Sequence, residues 1–259
     1  MVAMTVDLRY KIVDVFSDRP LAGNGLCVVL DPCPEAVMPA IAREVNLSET
    51  TFPVVTAPEA YEMRIFTPQV ELPFAGHPSV GTAWTLGPQR WTQTTSGATV
   101  VIDADADGAV MGQPDPVFEE WDPTPPMKAL GLESALGAWM ATVGGMRHLL
   151  VLTESPIEEI EPDMSEMATD RGTAAVRRID DRTLQVRLFV KGIGEDPGTG
   201  SAAGAVAVLG RQHLGTGVDI SIRQGFEMGR PCIIGVHAED GAITVGGRVS
   251  LCAEGVFRL

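Results

Sequence analysis

The sequence predicts an α+β fold of two similar halves, each a curved sheet of short strands around one central helix. Three observations lead there. The stretches Glu71-Leu72-Pro73-Phe74-Ala75-Gly76 and Glu195-Asp196-Pro197-Gly198-Thr199-Gly200 share the spacing Glu-x-Pro-x-x-Gly and lie close to half a chain length apart in 259 residues. Each is followed by small residues, by an alanine at the same offset (Ala83, Ala207) and by a Leu-Gly stop (Leu86-Gly87, Leu209-Gly210), as expected of one unit used twice. Most other periodic segments are short and bounded by turn residues, which is how strands read. The helix expected over Ser201 to Leu209 is nearly all Ala and Val, so it has no polar face and belongs inside.

Taken in order, Tyr10 to Phe16 reads as a strand, Arg19 to Gly25 as a tight loop and Leu26 to Leu30 as a second strand. Pro34 to Val45 reads as a helix, with Val37, Ile41 and Val45 on one face and Asn46 as a left-handed cap. Leu47 to Thr50 is then a loop leading into a strand from Thr51 to Val55, and Glu62 to Thr67 is a further strand. Gly76 to Leu86 is a helix stopped by Gly87-Pro88, and Thr99 to Ile102 forms a hairpin with Ala109 to Met111. Gln113 to Met127 is rich in Pro, Asp and Glu and aperiodic, so it reads as the linker between halves 1–115 and 116–259.

In the second half, Leu149 to Leu152 is a strand and the acidic run Ile157 to Met167 reads as helical. Leu184, Val186, Leu188 and Val190 alternate on one face of a strand. Ile220 to Arg223, Cys232 to Val236, Ala242 to Gly246 and Val249 to Glu254 complete the set as short strands.

Bulk properties narrow the function. Apolar content of 45% against 20% charged residues predicts a packed core. A net charge of −15 argues against a nucleic-acid or anionic-membrane partner, both of which need basic patches. It leaves room for a small anionic ligand, which a helix start can hold without Lys or Arg. The repeat itself suggests two such helix starts facing one another across a cleft. The first residues lack the basic start and apolar run of a secretory signal, and no apolar stretch approaches the roughly 18 residues of a membrane span. Cys27, Cys33, Cys232 and Cys252 have no C-x-x-C spacing and read as reduced thiols of a cytoplasmic protein.

The segment Gly198-Thr199-Gly200-Ser201-Ala202-Ala203 fits G-x-G-x-x-G/A, with Asp219 about 20 residues on, as an NAD(P) fingerprint would. Asp219, however, precedes its strand instead of ending it, and no second βαβ unit follows. The glycines keep a simpler role, letting a ligand approach bare backbone at a helix start. Read alone, Glu49 is a solvated loop acid or a cap, Asp196 an acid favoured at a first helical turn, and His77 a structural histidine. The four histidines and four cysteines share no metal-ligand spacing.

These residues also carry a resemblance. Asn46-Leu47-Ser48-Glu49-Thr50, Glu71 to Pro78 and Glu195 to Ala202, together with Asp14-Val15-Phe16, Gly23-Asn24 and Gln224 to Pro231, make the chain resemble the PhzF-like family of phenazine-biosynthesis isomerases, in the diaminopimelate epimerase superfamily. The resemblance implies two pseudo-symmetric halves, each a mixed, mostly antiparallel sheet around a central helix. The active site would lie in the cleft between them, and the last strand would cross back to the first half. It implies a cofactor-independent, metal-free isomerase acting on a small carboxylate-bearing substrate as a homodimer. By resemblance Glu49 is the acid/base residue, His77 and Asp196 are its catalytic partners, and Gly76, Gly200 and Ser201 bind the substrate carboxylate. The paired thiols of the related epimerases have no counterpart here, which favours carboxylate chemistry. Lys191, Gly198, Gly25 and Ser79 depart from the family's usual residues, and the first two bear on substrate choice. An inactive binding protein on the same scaffold would lack one of Glu49, His77 or Asp196, and all three are present.

Overall fold

The structure is a computed structural model describing residues 6–259. The chain divides into two units, one formed by the described residues up to Met111 with Gly247–Leu259, the other by Gly112–Gly246. The first unit carries β1 (Asp7–Val15), β2 (Asn24–Val29), α1 (Met38–Val45), β3 (Glu49–Ala57), β4 (Ala60–Phe66), β5 (Glu71–Leu72), α2 (Gly76–Leu86), β6 (Arg90–Thr94), β7 (Thr99–Ala104) and most of β8 (Gly108–Gln113). The second carries β9 (Val117–Trp121), α3 (Thr124–Leu130), β10 (Gly137–Val143), β11 (Met146–Thr153), β12 (Gly172–Arg178), β13 (Thr183–Val190), β14 (Gly194–Asp196), α4 (Gly200–Leu209), β15 (Asp219–Gln224), β16 (Cys232–Glu239) and the start of β17 (Ala242–Arg258).

The sheet is mixed and mostly antiparallel. In the first unit β1 lies between β2 and the end of β17, β2 runs parallel to β3, β3 antiparallel to β4, and β4 parallel to β6. In the second, β10 pairs β11, β11 runs parallel to β12, β12 antiparallel to β13, and β13 parallel to β15. Each unit buries one helix. Every residue from Gly76 to Ala83 in α2 is buried, against β1, β2, β3 and β7. All of α4 is buried, against β10, β11 and β16. Gly81 shows how close α2 sits: a Cβ there would lie 2.7 Å from Leu26 and Val15 side-chain carbons. Among the described residues no helix is long and apolar enough to cross a membrane, and no disulfide joins the four cysteines.

The helix expected over Gly76 to Leu86 forms with those bounds, and Asn46 caps α1 in the left-handed conformation. Other expectations need correction. Residues 113–127 are not a linker. They hold β9, which pairs with β10, and the start of α3, whose early prolines suit a first turn because they have no N–H to leave unpaired. Ile157 to Met167 is not helical. Pro162 interrupts it, and the Ile157, Glu158 and Ile160 carbonyls accept from the Arg187 guanidinium instead. The helix over Pro34 to Val45 is a short 3₁₀ turn followed by α1. β13 is buried on both faces, not one. The two last short strands are one strand, β17.

Candidate active site

Glu49 lies on a strand rather than in a loop. It opens β3 in register with Leu26 of β2, so sheet pairing fixes its backbone. Its Oε2 is 3.1 Å from His77 Nε2, and the side chains are 15% and 7% exposed. The approach lacks the alignment of a hydrogen bond. It is also not an ion pair, because burial pushes the His77 imidazole down to about 3 and keeps it neutral. Asn24 Nδ2 lies 3.3 Å from His77 Nδ1. An amide nitrogen can only donate, so Nδ1 accepts and the ring proton sits on Nε2, facing Glu49. His77 follows Gly76 at the start of α2, where no side chain caps the helix and no acid occupies the first turn. The first turn therefore presents bare backbone with a positive dipole end beside a neutral imidazole. The loop leading into Asn24 is strained, with buried Phe16 and exposed Leu21 at positive φ, and Gly23 at φ 70° approaches the Val15 carbonyl too closely for any Cβ.

The second unit gathers Asp196, Gly200 and Ser201. Asp196 ends β14, its Oδ2 accepting from the Thr199 hydroxyl and its Oδ1 from the Gly198 N–H at 3.3 Å. Gly200 and Ser201 open α4, again without a side-chain cap. Ser201 Oγ is 3.1 Å from Nε2 of buried His148. The six residues singled out in the sequence thus fall into two sets, Glu49, Gly76 and His77 in one unit and Asp196, Gly200 and Ser201 in the other. Asp219, the would-be ribose acid, sits at the start of β15 with its carboxylate 2.7 Å from His237 Nδ1. Lys191 Nζ donates to the Ser165 carbonyl at 2.6 Å. Among the described residues no group of three His, Cys, Asp or Glu side chains could hold a metal ion.

Comparison with known proteins decides the family. The phenazine biosynthesis-like protein family matches residues 13–255. The chain belongs to that family. It is 36% identical over 276 aligned positions to the trans-2,3-dihydro-3-hydroxyanthranilate isomerase of Pseudomonas aeruginosa, covering 95% of this chain and 98% of the relative. Such relatives make the chain a PhzF-type isomerase. The crystal structure of a PhzF-family protein from Enterococcus faecalis superposes with a TM-score of 0.84 at 26% identity, covering 98% of this chain and all of that one (100%). A hydroxyproline epimerase from Agrobacterium vitis shares the fold, with a TM-score of 0.64 at 13% identity over 98% of this chain and 93% of that one.

Three glutamine- and arginine-based devices in this PhzF-like chain escape sequence reading. Gln224 binds the Asp196–Thr199 turn from β15: its Nε2 donates to the Asp196 carbonyl at 2.8 Å and to Thr199 Oγ1 at 2.9 Å, and its Oε1 accepts from the Thr199 N–H. Gln113 does the same for the first turn of α4, donating to the Gly200 and Ser201 carbonyls and accepting from the Gly204 N–H at 3.1 Å. Each Glu of the repeated motif is also gripped by an arginine on the neighbouring strand, Arg64 to Glu71 and Arg187 to Glu195, and each guanidinium lies 5.1 Å from the ring of the next-but-one phenylalanine, Phe66 or Phe189. The signal that could have found the last device is Arg-x-Phe upstream of both motif glutamates.

The Gln113 clamp gives a test. Alanine is intrinsically better than glycine in a helix by about 1 kcal/mol. At Gly204, though, a Cβ would sit 2.1 Å from Gln113 Oε1 and 2.9 Å from Ile243 Cγ2. Gly204→Ala must expel the amide and lose its bonds, each worth about 1 kcal/mol. The variant is expected to be less stable by roughly 1–2 kcal/mol in urea unfolding; a stabilised variant would refute the clamp.

Proposed function

We propose that this PhzF-type isomerase works without a cofactor, moving a proton between carbons of a small carboxylate-bearing substrate. Glu49 takes and returns the proton; His77 and Asp196 are its catalytic partners on that same substrate. Backbone at Gly76 and Gly200, with Ser201, holds the carboxylate. The observation that carries this reading is the Glu49–His77 pair, a carboxylate 3.1 Å from a buried neutral imidazole at an uncapped helix start. A neutral imidazole beside the carboxylate does not compete with it as an acid. The uncapped N–H groups offer stabilisation to negative charge as it develops.

The trial substrate is trans-2,3-dihydro-3-hydroxyanthranilate, by analogy with the P. aeruginosa relative. The recurring pairing order and the two Arg-x-Phe grips support two halves built on one repeated plan. We assign the enzyme to the cytoplasm as a homodimer.

Turnover in D₂O is the test. One deuteron is expected at a product carbon, with a slower rate when the substrate carries deuterium at the carbon that loses its hydrogen. Product without solvent label, formed with no such slowing, would rule out proton shuttling.

A further inference from the structure

We propose that His148 is a positioning residue whose Nε2–H holds the Ser201 oxygen, leaving the serine hydroxyl proton free to be given to the substrate. The proposal rests on the assignment of Ser201 to substrate binding made above, and deepens it.

His148 stands on β11, 4% exposed, with its Nε2 3.1 Å from Ser201 Oγ. Its other ring nitrogen, Nδ1, is enclosed and has no hydrogen-bond partner among the described residues. Space for the ring comes from Gly172, its register partner on β12, where a Cβ would come within 3.2 Å of Nδ1. Burial pushes the imidazole down to about 4, so near neutral pH the ring carries one N–H. A proton on Nδ1 would bury a donor with no acceptor, which costs more than leaving a lone pair unused. A proton on Nε2 makes the bond to Ser201. That bond then fills an acceptor position of the serine oxygen and leaves its own O–H uncommitted.

A second serine in the molecule shows the alternative. Ser79, in the first turn of α2, donates to the Ala75 carbonyl at 2.8 Å and accepts from Gln93 Nε2 at 2.9 Å, so its hydroxyl is used up. Ser201 Oγ makes no hydrogen bond among the described residues other than that to His148. Its helix turn is already gripped by Gln113, whose Nε2 takes the Gly200 and Ser201 carbonyls. One glutamine fixes the backbone of the turn, and one histidine fixes the polarity of its hydroxyl.

The tautomer can be read directly. ¹⁵N NMR of the full chain at neutral pH should show His148 protonated at Nε2 and bare at Nδ1, with the Nε2–H signal moving in Ser201→Ala. An Nδ1–H tautomer or an imidazolium would overturn the proposal. With trans-2,3-dihydro-3-hydroxyanthranilate, His148→Phe should raise KM about tenfold, the worth of one hydrogen bond to a charged group, and change kcat less. His148→Gln, which can still donate, should recover most of the loss, and His148→Phe should add nothing in a Ser201→Ala background. A full effect persisting without Ser201 would overturn the role. If His148→Phe does not fold, the NMR result and the His148→Gln variant decide it. Failure of the parent reading looks different: Ser201→Ala would then keep a normal KM whatever the tautomer.

Discussion

Glu49→Gln is expected to lose turnover by about 10²–10⁴-fold, the range that a positioned acid/base group supplies, while keeping fold and substrate affinity. The substitution preserves shape and leaves an amide oxygen for the His77 Nε2–H, 3.1 Å away in the parent. The Glu49 backbone is pinned by its β3–β2 register and its side chain is only 15% exposed, so the amide has no reason to swing out. What it loses is the capacity to carry a proton. Parallel measurements of kcat, substrate binding and urea unfolding check all three parts. A Gln variant within a few-fold of normal turnover would remove Glu49 from the chemistry.

The largest effect on stability is expected at Arg187. Its guanidinium makes two 2.8 Å bonds to Glu195 and donates to three backbone carbonyls, and the two side chains are only 9% and 12% exposed. Arg187→Met leaves a near-buried carboxylate and three carbonyls without their donor. Breaking one side of such a pair costs about 3–5 kcal/mol. Replacing both partners with apolar residues of similar size, Arg187→Met with Glu195→Leu, should recover at least half of that, because no orphaned charge remains. The molecule contains its own control. Arg64 and Glu71 have the same fork geometry at 36% and 38% exposure, where solvent screening limits a pair to about 1 kcal/mol or less. Urea midpoints for both sites check the contrast. An Arg187→Met variant no weaker than an Arg64→Met variant would show that burial does not set the difference.

Much of the sheet-and-helix plan is readable because local signals agree with tertiary ones. α2 is bounded by Gly76 and by Gly87-Pro88, and α4 by its run of small residues, so propensity, stop signals and burial coincide. Elements fail to show where packing alone decides them. β9 exposes most of its residues and becomes a strand because β10 offers it an edge, while its two glutamates and the prolines flanking it read as a linker. The acidic stretch after Pro156 looks helical by composition, yet its carbonyls are claimed by Arg187, some 30 positions away in sequence. At the site, composition and spacing point to the two helix starts, whereas the roles of Glu49, His77 and Asp196 come from resemblance. Gln113 and His148 carry no local signal, and Gln224 opens a motif of the resemblance without showing its role, since what marks each of them is the backbone turn or hydroxyl that it reaches.

The path of β17 has a consequence for biosynthesis. Nine residues of β1, Asp7 to Val15, find their antiparallel neighbours at Arg258 to Val249, near the opposite chain end. The unit made earlier along the chain therefore keeps an open edge until Gly247–Leu259 emerges, whereas Gly112–Gly246 is contiguous and can close earlier. Translation order and completion order are thus reversed, and a nascent polypeptide arrested after Gly246 would expose β1 as a bare strand inviting intermolecular pairing.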